Sequence, residues 1–179
     1  MTRIYKILTN KFIKIYSGQE FYLIGLIILI AAVIRLKTNF SADLIPGING
    51  GYYPLLARNI LETGSMNYPD APLVHWLCAG VGAIIQLITG FPIDRAVLIS
   101  SRLIDSLIPP LIAVPVYFLS RQINPSAKKP EAARYLFPAF TVFYLASLMV
   151  LSGDMTKNSV GLVFLSSFIL QAIRFIQYR

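Results

Sequence analysis

Charge is scarce in this chain of 179 residues. Only 13% of its side chains are charged, and eight Asp and Glu stand against sixteen Lys and Arg. A soluble globule carries about a quarter of its residues as charged groups, so water is a poor solvent for this sequence. A single cysteine, Cys78, excludes an internal disulfide, a cysteine-rich zinc site and an iron-sulfur cluster, and a single histidine, His75, excludes a multi-histidine metal centre within one chain. Walker and Rossmann glycine patterns, a Ser-His-Asp arrangement and the paired carboxylates of a soluble glycosidase are all missing. What fills the chain instead is apolar: 56% of residues, with a mean hydropathy of +0.65. The net charge of +8 could suit nucleic acid, but the cations stand at the ends of apolar runs rather than on one basic face, so nucleic acid is not an expected partner. The lipid bilayer is.

Five apolar stretches divide the sequence: Glu20 to Leu36, Ala71 to Ile93, Val97 to Ser120, Tyr135 to Ser152 and Ser159 to Ile173. The first follows Arg3, Lys6, Lys11 and Lys14, the charge order of a signal peptide, but Arg35, Lys37 and Asn39 stand where a small-residue cleavage site belongs. It therefore reads as a membrane helix, short enough that its ends must snorkel or thin the bilayer. If all five crossed, most cations would lie outside. If one does not, the N-terminal four, Arg121, Lys128, Lys129, Arg134, Arg174 and Arg179 fall inside, against Arg35, Lys37, Arg58, Arg95 and Lys157 outside, ten against five. The stretch from Ala71 to Ile93 is the one to demote: it holds His75, Gln86, Pro72, Gly80, Gly82, Gly90 and Pro92, and is expected to re-enter or lie at the interface.

The expected fold is thus all-α: a polytopic membrane protein of about four transmembrane helices, with juxtamembrane amphipathic helices in the first outer loop. A basic cytoplasmic N-terminus covers 1–19, and transmembrane helices cover 20–36, 97–120, 135–152 and 159–174. An outer loop, 37–95, carries helices at about 52–63 and 71–90; a basic cytoplasmic loop covers 121–134 and a short outer loop 153–158. The termini suit the plasma membrane of a prokaryote, with the N-terminus cytoplasmic.

The outer segments hold the candidate chemistry. In PGINGGYYPLLARNILETG, 46–64, the glycines allow a tight backbone. Tyr52, Leu56 and Ile60 then recur at helical spacing, Arg58 and Glu62 pair at i,i+4, and Gly64 stops the helix. Such a helix lies along the membrane as an anchor or borders a site. In MNYPDAPLVHWL, 66–77, Tyr68 and Trp76 are interfacial residues and Pro69 and Pro72 hold Asp70 in an extended turn. His75 reads either as a hydrogen-bonded interface residue or as a proton carrier. Arg102 and Asp105 share a helical face at i,i+3, a pairing either structural or turned to a lipid phosphate. Asp154 and Lys157 share a short turn, SGDMTKN, either hydrophilic punctuation or a place where a carboxylate coordinates a metal or polarises an acceptor.

The stretches GINGGYYPLLARNILETG, PDAPLVHWL, SRLIDSLIPPLIAVPVYFLSRQ and SGDMTKNSVGLVFL, taken in order, resemble the N-terminal module of the GT-C superfamily of polytopic glycosyltransferases, which includes oligosaccharyltransferase catalytic subunits and protein mannosyltransferases. The likeness covers about 20 to 175. It implies transfer of a sugar from a polyprenyl-phosphate-linked donor to an acceptor on the outer face. Where the family usually reads N-D-G-Y, this chain has Asn49, Gly50, Gly51 and Tyr52, so the carboxylate position falls on Gly50, with Asp43 or Asp70 as substitutes. The resemblance assigns Asp154 to acceptor or metal, a divalent cation such as magnesium or manganese. It assigns Arg58 and Arg102 to phosphate and Tyr52 and Trp76 to sugar or lipid stacking, with His75 and Lys157 as further substrate-binding candidates. Enzymes of the superfamily have many more helices, which implies a fragment or truncated form, inactive alone. Two other readings remain open: a non-catalytic scaffold or accessory subunit with membrane protein partners, and a small transporter, for which no inverted repeat is visible.

Overall fold

The structure, a computed structural model, describes residues 18–43, 45–47, 49–123, 133–144 and 156–177. The described residues are helical throughout their regular elements: α1 (Gly18–Phe40), α2 (Tyr52–Thr63), α3 (Pro72–Thr89), α4 (Ile93–Leu107), a 3-10 turn (Pro109–Ile112), α5 (Ala113–Ile123), α6 (Ala133–Phe143) and α7 (Thr156–Gln177). Local chemistry sets several ends. Glu20 lies in the first turn of α1 and Lys37 in its last, each favoured by the helix dipole. Pro72 opens α3, and Gly64 and Gly90 close α2 and α3 in the left-handed conformation.

Four helices are long and apolar enough to cross a membrane: Glu20–Phe40, Pro72–Thr89, Ile93–Gln122 and Thr156–Gln177. Three coincide with expected spans, and all three are longer than the sequence suggested. The first needs no snorkelling, because its 23 residues extend about 34 Å. The second begins at Ile93 rather than 97 and is interrupted at Pro109–Ile112, because Pro109 and Pro110 cannot donate backbone hydrogen bonds. The third runs from Thr156 to Gln177 rather than 159 to 174. Of the expected span at 135–152 the structure describes the part up to Tyr144, and much of the loop at 121–134 lies outside the described residues.

Contacts between helix ends define two levels. At one, Arg121 donates to Glu20 at 3.1 Å, the Tyr117 and Tyr135 rings stack, and Arg174 sits over Phe118. At the other, Asp105 meets Arg35 and Asn39 of α1 and Thr156 of α7. Between them, Glu20 to Asn39, Asp105 to Arg121 and Thr156 to Arg174 each measure about 24–29 Å along their helices, close to the thickness of a bilayer's hydrocarbon core. Beyond the Asp105 level, α2, α3 and the first turns of α4 pack on one another around Tyr53, Ala57, Ile60, Val74, Cys78, Ala79 and Val97. The close approach of α3 to α4 depends on small residues. Gly82 faces Val97 and Ser100, whose hydroxyl donates to the Cys78 carbonyl at 2.7 Å.

Two expectations change here. The apolar face of 52–63 is covered by α3 and α4 rather than by lipid, because its small and aromatic side chains fit the Val74–Ala79 surface. The expected pair of Arg102 with Asp105 does not form. Asp105 bonds with Arg35, whose Nε also donates to the Asp105 carbonyl at 2.9 Å, while Arg102 donates to the carbonyls of Ala42 and Asp43 just past the end of α1. Helical spacing put both on one face, but the neighbouring helix offered Asp105 a cation and the α1 terminus offered Arg102 unsatisfied carbonyls.

Candidate functional site

A cleft of about 350 Å³ opens at the Asp105 level, lined by Asn49, Tyr52, Tyr53, Tyr68, Pro69, Asp70 and Lys157. Its backbone comes from three separated segments. The Gly47–Gly51 turn delivers Tyr52 and Tyr53, bonded from Tyr52 N to the Asn49 carbonyl at 2.9 Å. The Pro69–Ala71 bend presents Asp70, and the first turn of α7 presents Lys157. The glycine-tyrosine stretch and the segment that follows Asp154 thus meet in one place.

Asp70 is the hub. Its Oδ1 accepts from Lys157 Nζ at 2.8 Å and from the Ala71 N–H at 2.7 Å; its Oδ2 accepts from Tyr52 at 2.9 Å and from His75 Nε2 at 3.1 Å. Burial works against its charge, but the bonds from Lys157, Ala71, Tyr52 and His75 outweigh it and hold the carboxyl well below the usual range. A carboxylate so acidic and so fully occupied is a weak proton acceptor near neutral pH. Tyr52 is its converse: burial first, then the bond to Asp70, pushes the phenol up to about 12. Burial also raises Tyr53, against the opposing influence of Lys157. The Tyr53 hydroxyl accepts the Lys157 backbone N–H at 3.3 Å and so satisfies one of the free donors at the start of α7.

His75 is fully buried behind the cleft. Its ring stacks on Tyr53 at 5.5 Å and meets the edge of Tyr52. Donation to Asp70 marks Nε2 as the protonated nitrogen, and Nδ1 has no hydrogen-bond partner. His75 positions Asp70 and the tyrosines; it does not line the cavity.

The other candidates fall elsewhere. Asp43 is exposed and contributes its carbonyl to Arg102. The Arg58 guanidinium is committed to Glu62 at 2.8 Å and Asp94 at 2.7 Å. Trp76 is half-exposed on the outer side of α3, away from the cleft. Arg102 stacks over Phe40 and is bound to the chain after α1. Asp154, the candidate for catalysis and metal, lies outside the described residues. Among the described residues no three His, Cys, Asp or Glu side chains cluster as a metal site.

Reading the sequence missed Tyr53, Asn49 and Thr156. Tyr53 carried a signal, since it shares the Ala57 and Ile60 face of α2, but that face reads as core. Asn49 stood in the stretch compared with N-D-G-Y but was given no role, and Thr156 carried no signal.

Gly50, where the resemblance would put a carboxylate, has no room for one. A Cβ on Gly50 would collide with the carbonyl of Ile45, so no aspartate fits there in this backbone. Gly50→Ala should therefore cost about 1–3 kcal/mol through displacement of the turn, measured as a lower Tm of the detergent-solubilised protein. An unchanged Tm would show that the turn relaxes freely.

No family model, curated protein or solved structure matches the chain. The fold itself defines its class, an all-α polytopic membrane protein.

Proposed function

We propose that the chain is a membrane sugar-transferase module of the GT-C type that receives a polyprenyl-phosphate-linked sugar in the Asp70 cleft on the outer face. The observation that carries this reading is the meeting of Tyr52 and Asp70 with Lys157, which joins segments distant in sequence that also carry the resemblance. The chemistry is suitable. Tyr52 and Tyr68, edge to face at 6.3 Å, offer aromatic surface to a sugar. Lys157, a third exposed, offers a cation to a departing lipid phosphate. Asp70 is too acidic to take the acceptor's proton and serves as a positioning group, which leaves Asp154, three residues before Lys157, as the base.

The fully bonded state of Asp70 also favours a second reading, a non-catalytic scaffold whose polar network holds the outer loop together. Transfer from short-chain prenyl-phosphate sugars, assayed in membranes containing the protein, separates the two. The transferase reading expects Asp154→Asn to reduce transfer by about 10²–10⁴-fold, the usual contribution of a positioned base, and Tyr52→Ala to weaken donor use. Transfer unchanged by Asp154→Asn removes that role; because the resemblance implies a module inactive alone, the scaffold is favoured only if the stably inserted wild-type protein neither transfers nor binds the prenyl-phosphate sugar.

A further inference from the structure

At the Glu20–Arg121 level, the opposite end of the bundle from the Asp70 cleft, a narrow groove runs between the start of α1 and one face of α5. It is lined by Glu20, Phe21, Ile24, Val114, Tyr117 and Phe118. Spacings of four, Glu20 to Ile24 and Val114 to Phe118, keep each set on one side of its helix. The accessible walls are apolar, and Phe21 and Val114 are exposed along them. Over the aromatic pair of this groove stand two cations. Arg121 lies over the Tyr117 ring and Arg174 over the Phe118 ring, and the two ring centroids are 5.5 Å apart. We propose that the groove holds one ordered anionic phospholipid, with an acyl chain along its apolar walls and the phosphate between Arg121 and Arg174.

Three features select an anionic lipid as the occupant. The first is charge. Among the described residues Arg121 and Arg174 meet one carboxylate at the groove, Glu20, which Arg121 engages at 3.1 Å. In sequence, the stretches before α1 and between α5 and α6 add Lys11, Lys14, Lys128 and Lys129 against one acid, Glu131. A basic pocket between membrane helices suits a lipid phosphate. The second is depth. Arg121 follows Tyr117 by one turn, about 6 Å along α5, so the cations sit just beyond the apolar walls, as a headgroup sits just beyond its chains. The third is the Tyr117 hydroxyl, buried without a well-formed hydrogen bond. Glu20 is the acid near it, but that carboxylate is turned to Arg121. A phosphate that draws Arg121 outward leaves Glu20 to accept from Tyr117, so binding the anion satisfies a buried donor that otherwise lacks a partner. This site lies away from the cleft and is independent of sugar transfer.

The full chain, reconstituted in phosphatidylcholine vesicles, is photolabelled with a trace of phosphatidylglycerol or of phosphatidylcholine carrying a diazirine in one acyl chain, and the labelled residues are located by mass spectrometry. Leu29 and Val33, 60% and 54% exposed on α1, report ordinary lipid contact. Phosphatidylglycerol is expected to label the groove, around Ile24 and Phe118, more strongly than phosphatidylcholine does, with equal labelling around Leu29 and Val33. Arg174→Gln is expected to cut that preference about fivefold, the worth of one cation at an anionic surface, and Tyr117→Phe about threefold, the worth of one hydrogen bond. Val114→Trp, which fills the groove, is expected to remove groove labelling by both lipids and to spare Leu29 and Val33, which also shows that the variant is inserted. Equal labelling of the groove by the two lipids means ordinary boundary lipid and overturns the proposal. A groove left unlabelled while Leu29 is labelled assigns it to another segment or a second copy of the chain and overturns it too. So does a preference that survives Arg174→Gln.

Discussion

Arg35→Met is expected to cost about 3–5 kcal/mol, enough to threaten the fold, because it breaks a buried ion pair by removing one partner. The side chains of Arg35 and Asp105 are 2% and 1% exposed. Around the pair, Asn39 donates to Asp105 Oδ2 at 2.7 Å and to the Ser106 hydroxyl at 2.9 Å, and Thr156 donates to Asp105 Oδ1 at 2.8 Å. Every donor has a partner here, and helices distant in sequence are joined at one point. Removing the guanidinium takes away the cation paired with Asp105 and leaves the neutral donors Asn39 and Thr156 beside it. The double variant Arg35→Met with Asp105→Leu should recover much of the loss, since apolar residues of similar volume commonly replace a buried ion pair at little net cost. Thermal unfolding in detergent of the two single variants and the double variant checks this. A single Arg35→Met that unfolds within about 1 kcal/mol of the wild type would be the mark of a solvated pair, and the node would not hold the helices.

That node also shows what could be read from the sequence. The all-α membrane fold and the helix at Tyr52–Thr63 were legible because they rest on local signals: long apolar runs, a glycine stop and helical spacing. The end of α3 at Thr89 was legible for the same reason, in Gly90. Asp105 was recognised as unusual, but its partner was placed on its own helix. An i,i+3 neighbour can be seen in a sequence, whereas a residue 70 positions away cannot. Arg35 was counted as a topogenic charge at the end of a span, and Asn39 as a residue spoiling a cleavage site. They stand four apart on α1 and form one polar stripe on an otherwise apolar helix, a signal that was present and unused. The cleft was half legible. The glycine-tyrosine stretch and Asp70 stood out by composition, but their meeting with Lys157 is a tertiary event. Adjacent residues of α7 divide the work, Thr156 bonding Asp105 on one side and Lys157 bonding Asp70 on the other, so the first turn of one helix ties the bundle to the cleft.

If that turn is the junction, removing Asp70 should loosen the cleft while leaving the bundle intact. Asp70→Ala withdraws the acceptor from Lys157, the Ala71 N–H, Tyr52 and the buried His75. An expected cost of about 3 kcal/mol follows mainly from the His75 donor left without a partner, since an unsatisfied buried polar group costs about 1–3 kcal/mol. The Lys157 pair itself adds little more than about 1 kcal/mol, because the lysine is 37% exposed and screened by solvent. The pH dependence has a definite sign. In the folded protein the Asp70 carboxyl titrates below the usual carboxylate range; in the unfolded chain it titrates at about 3.9. The unfolded chain therefore takes up its proton first as pH falls. The contribution of Asp70 is complete above the unfolded value and is lost as pH drops through the lower, folded one. The difference in Tm between wild type and Asp70→Asn should thus be constant from neutral pH down to about 5 and shrink only in stronger acid. If it grew instead as pH fell from neutral to about 5, the folded carboxyl would be taking up its proton before the unfolded chain does and so titrating above its ordinary value. The network of Lys157, Tyr52 and His75 would then not be holding it ionised, and Asp70 would regain its claim to act as the base in place of Asp154.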